Sequence, residues 1–313
     1  MAESATDVAE AAAPPHGGRA GARATAIGIL AAARPRQWLK NVLLVTAPGA
    51  AGVLDEGDAL VDVGIAFVAF CLVASGTYLL NDVRDAEADR VHPVKRLRPV
   101  AAGVVSVRVA AVAGVLLIAA GCAAALVVGL GFFGVVALYL ALTVAYTLVL
   151  KDIAVVDVAV VASGFVIRAV AGGVAVGVPI SRWFLIVASF GSLFVVAGKR
   201  HGEHLDLGPQ RAALRATLVT YPREYLRFVW TMSSAVVVTA YCLWAFEQSP
   251  ADSSVPWYEL SIIPFVLFIL RYALLLESGK GSAPEDLVLG DGTLRVLTAI
   301  WVIVFACGIY VGP

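Results

Sequence analysis

The stretch NDVRDAEADR, Asn81 to Arg90, carries six charged residues in ten: Asp82, Arg84, Asp85, Glu87, Asp89 and Arg90. It follows directly on the uncharged run IAFVAFCLVASGTYLL. A helix returns to one face every three, four and seven residues. Asp82, Asp85 and Asp89 have that spacing, so they line one face if the helix continues past Leu80, with the neutral oxygen of Asn81 beside them. Clustered carboxylates repel each other. A hard divalent cation relieves the repulsion, and Mg2+ takes carboxylate oxygens together with substrate phosphate oxygens. The alternative is a solvated loop in which Asp and Arg pair with each other. The spacing and the position at a membrane edge favour the metal.

The next stretch, HPVKRLRPVAAG, sets Lys95, Arg96 and Arg98 between two prolines. A metal-binding face followed by a basic loop is what a diphosphate needs, with Arg and Lys taking the oxygens that the metal leaves. Plain anchoring to the membrane surface would need the same basic residues but not the carboxylates.

A second candidate site lies in YTLVLKDIAVVDVAVVASGFVIRAVAGG, where Lys151, Asp152 and Asp157 fall at one end of an apolar run. Asp157 sits about one and a half turns into the expected helix, and an ionisable residue inside a span is a functional candidate. Asp152 is either part of this site or an N-cap or first-turn acid. Arg168 is open to three roles: pairing with a carboxylate, lining a cavity, or sitting near the far surface. In AGKRHGEHLDL, Lys199 and Arg200 are phosphate ligands or interfacial anchors, and His201 and His204 do not make the HExxH zinc pattern.

These residues must be positioned by an oily chain. Of 313 residues, 60% are hydrophobic and 15% are charged, more apolar surface than a soluble protein usually hides. Charge balances at 23 basic and 23 acidic residues, so the total gives no pull toward nucleic acid, and none is expected as a partner. Cys71, Cys122, Cys242 and Cys307 each lie alone in apolar runs, which suits inert buried thiols better than zinc or disulfides. The opening 1–24, MAESATDVAEAAAPPHGGRAGARA, reads as a disordered tail without the basic and apolar regions of a signal peptide. TAIGILAAARPRQW is too short to span and reads as an interfacial helix, with Trp38, Arg34, Arg36 and Lys40 at headgroup level.

Nine apolar segments are candidate spans: 39–54, 60–81, 105–127, 131–150, 153–173, 183–199, 226–247, 256–276 and 294–312. The first is the weakest, interrupted by Pro48 and Gly49. The fold class expected is all-α, a multi-span integral membrane bundle of about nine transmembrane helices. Lys and Arg concentrate in alternate connections, namely the N-terminal segment, 82–104, the turn at Lys151, 200–225 and 277–293. The positive-inside rule then puts the N-terminus and both acidic sites in the cytoplasm and the C-terminus outside.

NDVRDAEADR resembles the NDxxDxxxD motif of the UbiA superfamily of intramembrane prenyltransferases, with Asn81, Asp82, Asp85 and Asp89 matching all four positions. The resemblance covers about residue 34 to the end and makes 25–313 one UbiA-like transmembrane transferase domain. It implies a second acidic site after a Tyr–Lys segment, Tyr146 and Lys151. Asp152 and Asp157 depart from the usual DxxxD spacing there, and Asp157 alone fits the role. RPRQWLKN, SGFVIRAVAGG and LRFVW resemble one branch in particular, which adds Lys40 to the candidate substrate ligands. That branch implies phosphoribosyl transfer from 5-phosphoribosyl diphosphate (PRPP) to a polyprenyl phosphate such as decaprenyl phosphate, for cell-wall arabinan synthesis at the plasma membrane. Mg2+ would be held by Asn81, Asp82, Asp85 and Asp89, with Asp157 on a second metal or the ribose hydroxyls. Lys95, Arg96 and Arg98 would hold the phosphates. A homotrimer is implied as well. The rivals are an aromatic prenyltransferase using a prenyl diphosphate and, in another class, a cation-coupled transporter with Asp82, Asp89 and Asp157 as ion ligands.

Overall fold

A computed structural model describes residues 18–207, 220–249, 255–279 and 284–311, and every regular element among them is helical. In chain order these are α1 (Gly18–Ala32), a 3-10 segment (Pro35–Val45), α2 (Thr46–Ala50), α3 (Gly57–Arg84), α4 (Ala86–Val91), a 3-10 turn (Lys95–Leu97), α5 (Val107–Val128), α6 (Leu130–Leu148), a second 3-10 turn (Leu150–Asp152), α7 (Val156–Ala175), α8 (Arg182–Leu207), α9 (Arg223–Gln248), α10 (Trp257–Glu277), α11 (Pro284–Gly290) and α12 (Gly292–Tyr310). Among the described residues, eight helices are long and apolar enough to cross a membrane: α3, α5, α6, α7, α8, α9, α10 and α12. The protein is a multi-pass membrane protein. Large apolar side chains face outward on several of these helices, such as Val112, Val115 and Leu116 on α5 and Val302 and Ile303 on α12. Lipid tails are the natural solvent for such faces.

The segment expected as the first span, 39–54, is not one long helix. It is a 3-10 helix followed by the five-residue α2, which contains Pro48 and Gly49 and stops at Ala50. The other eight expected spans are each a long apolar helix. Two other boundaries differ from expectation. The part of the tail assigned to 1–17 lies outside the described residues, but from Gly18 the chain is helical, in keeping with its alanines. Helix α8 runs to Leu207 rather than ending near 199, because His201, Glu203 and His204 continue it without a break.

Packing divides the chain into two units. The first comprises Met1–Arg36 and Leu72–Ala119. Its core is Ala32, Leu79, Ala86, Val100, Val105 and Ala110, which ties α1 to the second half of α3, to α4 and to the start of α5. Helices α3 and α5 cross at glycine. A Cβ on Gly76 would fall 2.6 Å from the Gly114 carbonyl oxygen, so larger residues would force the backbones apart. Ser75 donates to the Ala33 carbonyl at 3.1 Å and secures the end of α1.

The second unit comprises Gln37–Cys71 and Ala120–Pro313. One core lies among α8, α9, α10, α11 and α12, around Phe194, Trp230, Tyr272 and Leu276. Arg168 of α7 ties in the 3-10 segment. It is buried and donates to Asn41 Oδ1 at 2.8 Å, the Gly164 carbonyl at 2.7 Å and the Tyr139 hydroxyl at 2.8 Å. One turn on, Gly172 lets α7 meet the 3-10 backbone, where a Cβ would lie 1.8 Å from the Leu44 carbonyl oxygen. Arg168 is buried, which does not suit the role near the far surface, and these contacts involve no carboxylate. It is a packing knot of amide, carbonyl and phenol.

Candidate active site

The first acidic site lies within the first unit. Helix α3 ends at Arg84 and α4 begins at Ala86, but helical bonds bridge the join. The Asp85 N–H reaches the Asn81 carbonyl at 3.0 Å, and the Asp89 N–H reaches the Asp85 carbonyl at 2.8 Å. The register therefore carries through, and Asp82 and Asp89, two turns apart, share a face. Both are almost fully buried, at 2% and 3% exposed. Arg98 Nη1 sits between them, 2.6 Å from Asp89 Oδ2 and 3.3 Å from Asp82 Oδ1. Asp82 Oδ1 also takes Arg34 Nη2 at 2.6 Å, and the Arg34 guanidinium lies 4.8 Å over the Tyr78 ring.

The solvated-loop alternative does not describe this arrangement: the Asp residues do pair with Arg, but the partners come from outside the acidic stretch, and the carboxylates are buried while Arg34 and Arg98 are partly exposed. Among the described residues, no three His, Cys, Asp or Glu side chains gather into a metal-binding group. Asp85 sits at the α3–α4 join and is half-buried, so two carboxylates form the buried pair rather than three. Asn81 and Lys95 are half-buried and Arg96 is exposed. The loop carrying Lys95 and Arg96 is shaped by His92, whose Nδ1 accepts the N–H of Val94 and of Lys95, each at 3.2 Å.

The donor set still suits Mg2+, which is ordinarily held by one or two carboxylates plus substrate phosphates rather than by an all-protein cage. Asp82 and Asp89 supply hard oxygens. A guanidinium already bridges them, marking the point where positive charge is most favourable.

The second acidic site lies within the second unit, at the start of α7. Asp157 is fully buried. Its Oδ1 accepts a hydrogen bond from the Tyr221 hydroxyl, and its Oδ2 lies 3.6 Å from Arg200 Nε. Arg200, 2% exposed, also reaches Glu203 Oε2 at 3.2 Å. Burial, then the hydrogen bond to Asp157, hold the Tyr221 phenol well above its ordinary pKa, so it remains a proton donor. Val155 precedes α7 with φ +70°, a strained setting for a β-branched residue that costs about 1–3 kcal/mol.

Around this site, Lys151 is half-buried in the turn before α7 and Tyr146 is half-buried near the end of α6. Asp152 is exposed and does not cap α7, whose N-cap is Val155 with no side-chain cap bond. Lys199, half-buried, lies 3.9 Å from Glu203. Lys40 pairs with Gln37 and lies 5.9 Å from the Phe165 ring centroid.

Two polar partners, Arg34 and Tyr221, are not ones that the sequence points to: Arg34 lies in a basic cluster suited to headgroups, and nothing around Tyr221 sets it apart. Each meets its aspartate across dozens of residues, 48 for Arg34 and 64 for Tyr221, a distance that spacing along one helix cannot report.

Comparison with known proteins follows the same lines. Residues 42–290 match the UbiA prenyltransferase family. The decaprenyl-phosphate phosphoribosyltransferase of Corynebacterium glutamicum is 46% identical over 297 residues, 91% of this chain and 88% of that one. The Mycobacterium tuberculosis protein of the same name is 48% identical over 280 residues, 88% of this chain and 92% of that one. Among solved structures, a UbiA homolog from Archaeoglobus fulgidus bound to GPP and Mg2+ shares the fold with a TM-score of 0.70, at 18% identity, covering 90% of this chain and 99% of that one. An acidic helix join, an all-helical membrane fold and relatives near half identity along most of their length converge: the chain belongs to the UbiA prenyltransferase family.

Proposed function

We propose that this protein transfers the 5-phosphoribosyl group of PRPP to the phosphate of decaprenyl phosphate or a similar polyprenyl phosphate, releasing diphosphate. The observation that carries this reading is the 46–48% identity, along about nine-tenths of both chains, to relatives named for that activity. The first acidic site supplies suitable chemistry. Asp82 and Asp89 would hold Mg2+, with Asp85 and Asn81 beside them. When bound, the metal would stabilise charge on the departing diphosphate. Arg98, released from the carboxylates, would turn its fork to phosphate oxygens, and Lys95 and Arg96 would add charge from the same loop. The anomeric C–O bond breaks toward an oxocarbenium-like centre, as in other glycosyl transfers. The acceptor phosphate is already anionic, so no general base is needed.

The N-terminal segment and the connections after α3, α6, α8 and α10, together with the helix ends beside them, hold nearly every Lys and Arg, which supports a cytoplasmic face for them. Counting 35–56 as a ninth, broken crossing would put α1 on that side and the C-terminus outside. A water-soluble donor would reach the first acidic site from the cytoplasm, and the lipid acceptor would enter from the bilayer.

The test pairs two incubations of the purified protein. Radiolabelled PRPP with decaprenyl phosphate should give a Mg2+-dependent lipid product, and prenyl diphosphate with 4-hydroxybenzoate should give none. Prenylation of the aromatic acid with no use of PRPP would overturn the reading in favour of an aromatic prenyltransferase.

A further inference from the structure

We propose that Tyr221 is a positioning residue of the second acidic site: its hydroxyl fixes the Asp157 carboxylate at the start of α7, and Asp157 in turn sets the Arg200 guanidinium. This rests on the reading above in one respect, that the second acidic site takes part in the transfer.

Tyr221 is 3% exposed and stands just before α9. Its ring is parallel to that of Tyr225, with centroids 5.8 Å apart, and packs in the cluster of Val158, Ala162, Val196 and Leu226. The ring is therefore held by packing, and its one oxygen does two things. It accepts the Val155 N–H at 2.5 Å and donates to Asp157 Oδ1. Val155 is the strained residue, with φ +70°, and the phenol holds its N–H at that turn. Backbone strain of this kind persists where the surroundings over-determine it and clusters at functional sites.

The carboxylate is fully buried, and both of its oxygens face protein groups, Oδ1 the phenol and Oδ2 the guanidinium. That suits a counter-ion better than a metal ligand. Arg200 is the group left with capacity. It is 2% exposed, yet its Nε and Nη2 find no hydrogen-bond partner among the described residues. A buried guanidinium is costly with donors unspent, and phosphate oxygens are what its planar fork matches. Tyr221 and Asp157 thus act through Arg200, orienting a cation for a phosphate group.

Tyr221→Phe keeps the ring and its packing and deletes both hydrogen bonds. Hydrogen exchange of the full-length protein in detergent, read on peptides covering 153–159, should speed up by roughly tenfold or more while α9 is unchanged. With PRPP, kcat/KM should fall by about tenfold or more, and half-saturating Mg2+ should stay within about twofold. Asp157→Asn should show the same pattern, and the double variant should be no worse than Asp157→Asn within about twofold, because the two act as one unit. Should Tyr221→Phe not accumulate, Asp157→Asn carries the same tests from the other end of the bond.

Unchanged exchange at 153–159 would overturn the proposal. So would a lower Tm with unaltered kcat and KM, losses that multiply in the double variant, or a large shift in Mg2+ dependence. If the native protein fails to use PRPP, the functional reading falls. The exchange measurement, which uses no substrate, still decides whether Tyr221 fixes the site.

Discussion

Replacing Arg98 by alanine separates what holds the first acidic site together at rest from what it does with substrate. Arg98 Nη1 makes two charge-assisted contacts, at 2.6 Å to Asp89 and 3.3 Å to Asp82. Each such bond is worth about 1.5–3 kcal/mol. Two effects reduce the sum. The Arg98 side chain is 30% exposed, so water screens it in part, and Asp82 keeps Arg34 at 2.6 Å. Arg98→Ala should therefore cost about 2–4 kcal/mol in metal-free buffer, mostly from the Asp89 carboxylate left buried beside Asp82. Mg2+ should restore part of this. A cation at ten times its Kd stabilises by about 1.4 kcal/mol, and in the native protein it must first displace the guanidinium. The variant should thus show a lower Tm without metal but a larger rise on adding Mg2+ than the native protein. PRPP KM should also climb by about tenfold or more, the factor that 1.4 kcal/mol represents. Thermal unfolding in detergent, with and without Mg2+, combined with steady-state kinetics, reads all three. An Arg98→Ala protein that melts like the native one, with the same response to Mg2+, would refute the reasoning.

Two further outcomes follow from burial and pairing. Asp82→Asn and Asp89→Asn should each abolish turnover, whereas Asp85→Ala, half-buried at the helix join, should keep measurable activity with a raised Mg2+ requirement; equal loss at all three in a kinetic series would show that Asp85 is an equal ligand. Asp291 caps α12 through the Leu294 N–H at 2.9 Å and pairs with Arg271 at 2.7 Å, and the Arg271 hydrogen bond, then the backbone bond, hold its carboxyl below the ordinary range. A depressed folded pKa contributes stability above the unfolded value of about 3.9 and loses it as pH falls through the folded value. The Tm gap between native protein and Asp291→Asn should accordingly be open at pH 7 and close on acidification below that range, and a gap that widened in acid would reverse the sign of the argument.

The sequence was legible wherever one helix sets the relation. Asp82 and Asp89 share a face because seven residues make two turns, and that periodicity survives the join at Asp85 through two backbone bonds. Span edges were legible because apolar runs end where charges begin. The exceptions have local causes. Helix α8 continues through AGKRHGEHLDL, where the charged residues are good enough helix formers to carry it beyond the apolar run. The first expected span is no long helix: α2 stops just after Pro48 and Gly49, both visible in the sequence.

The partners of the acidic residues were not legible, because packing rather than periodicity brings them in. The neighbours Arg36, Trp38 and Lys40 place Arg34, by sequence, in a headgroup cluster. It faces Asp82 because Arg34, with φ +55°, ends α1 in a sharp turn. Tyr221 is a tyrosine before a proline at the head of a helix, with nothing in its own stretch to point to Asp157. Arg168 meets Asn41 across 127 residues. A buried charge states only that a partner must exist. For Asp82 and Asp89 that partner is a pair of arginines at rest, which leaves the two carboxylates neutralised, dry and close enough to share one cation. In the proposed reaction an incoming metal–diphosphate would exchange with a guanidinium there, so that the carboxylates would not be left unpaired.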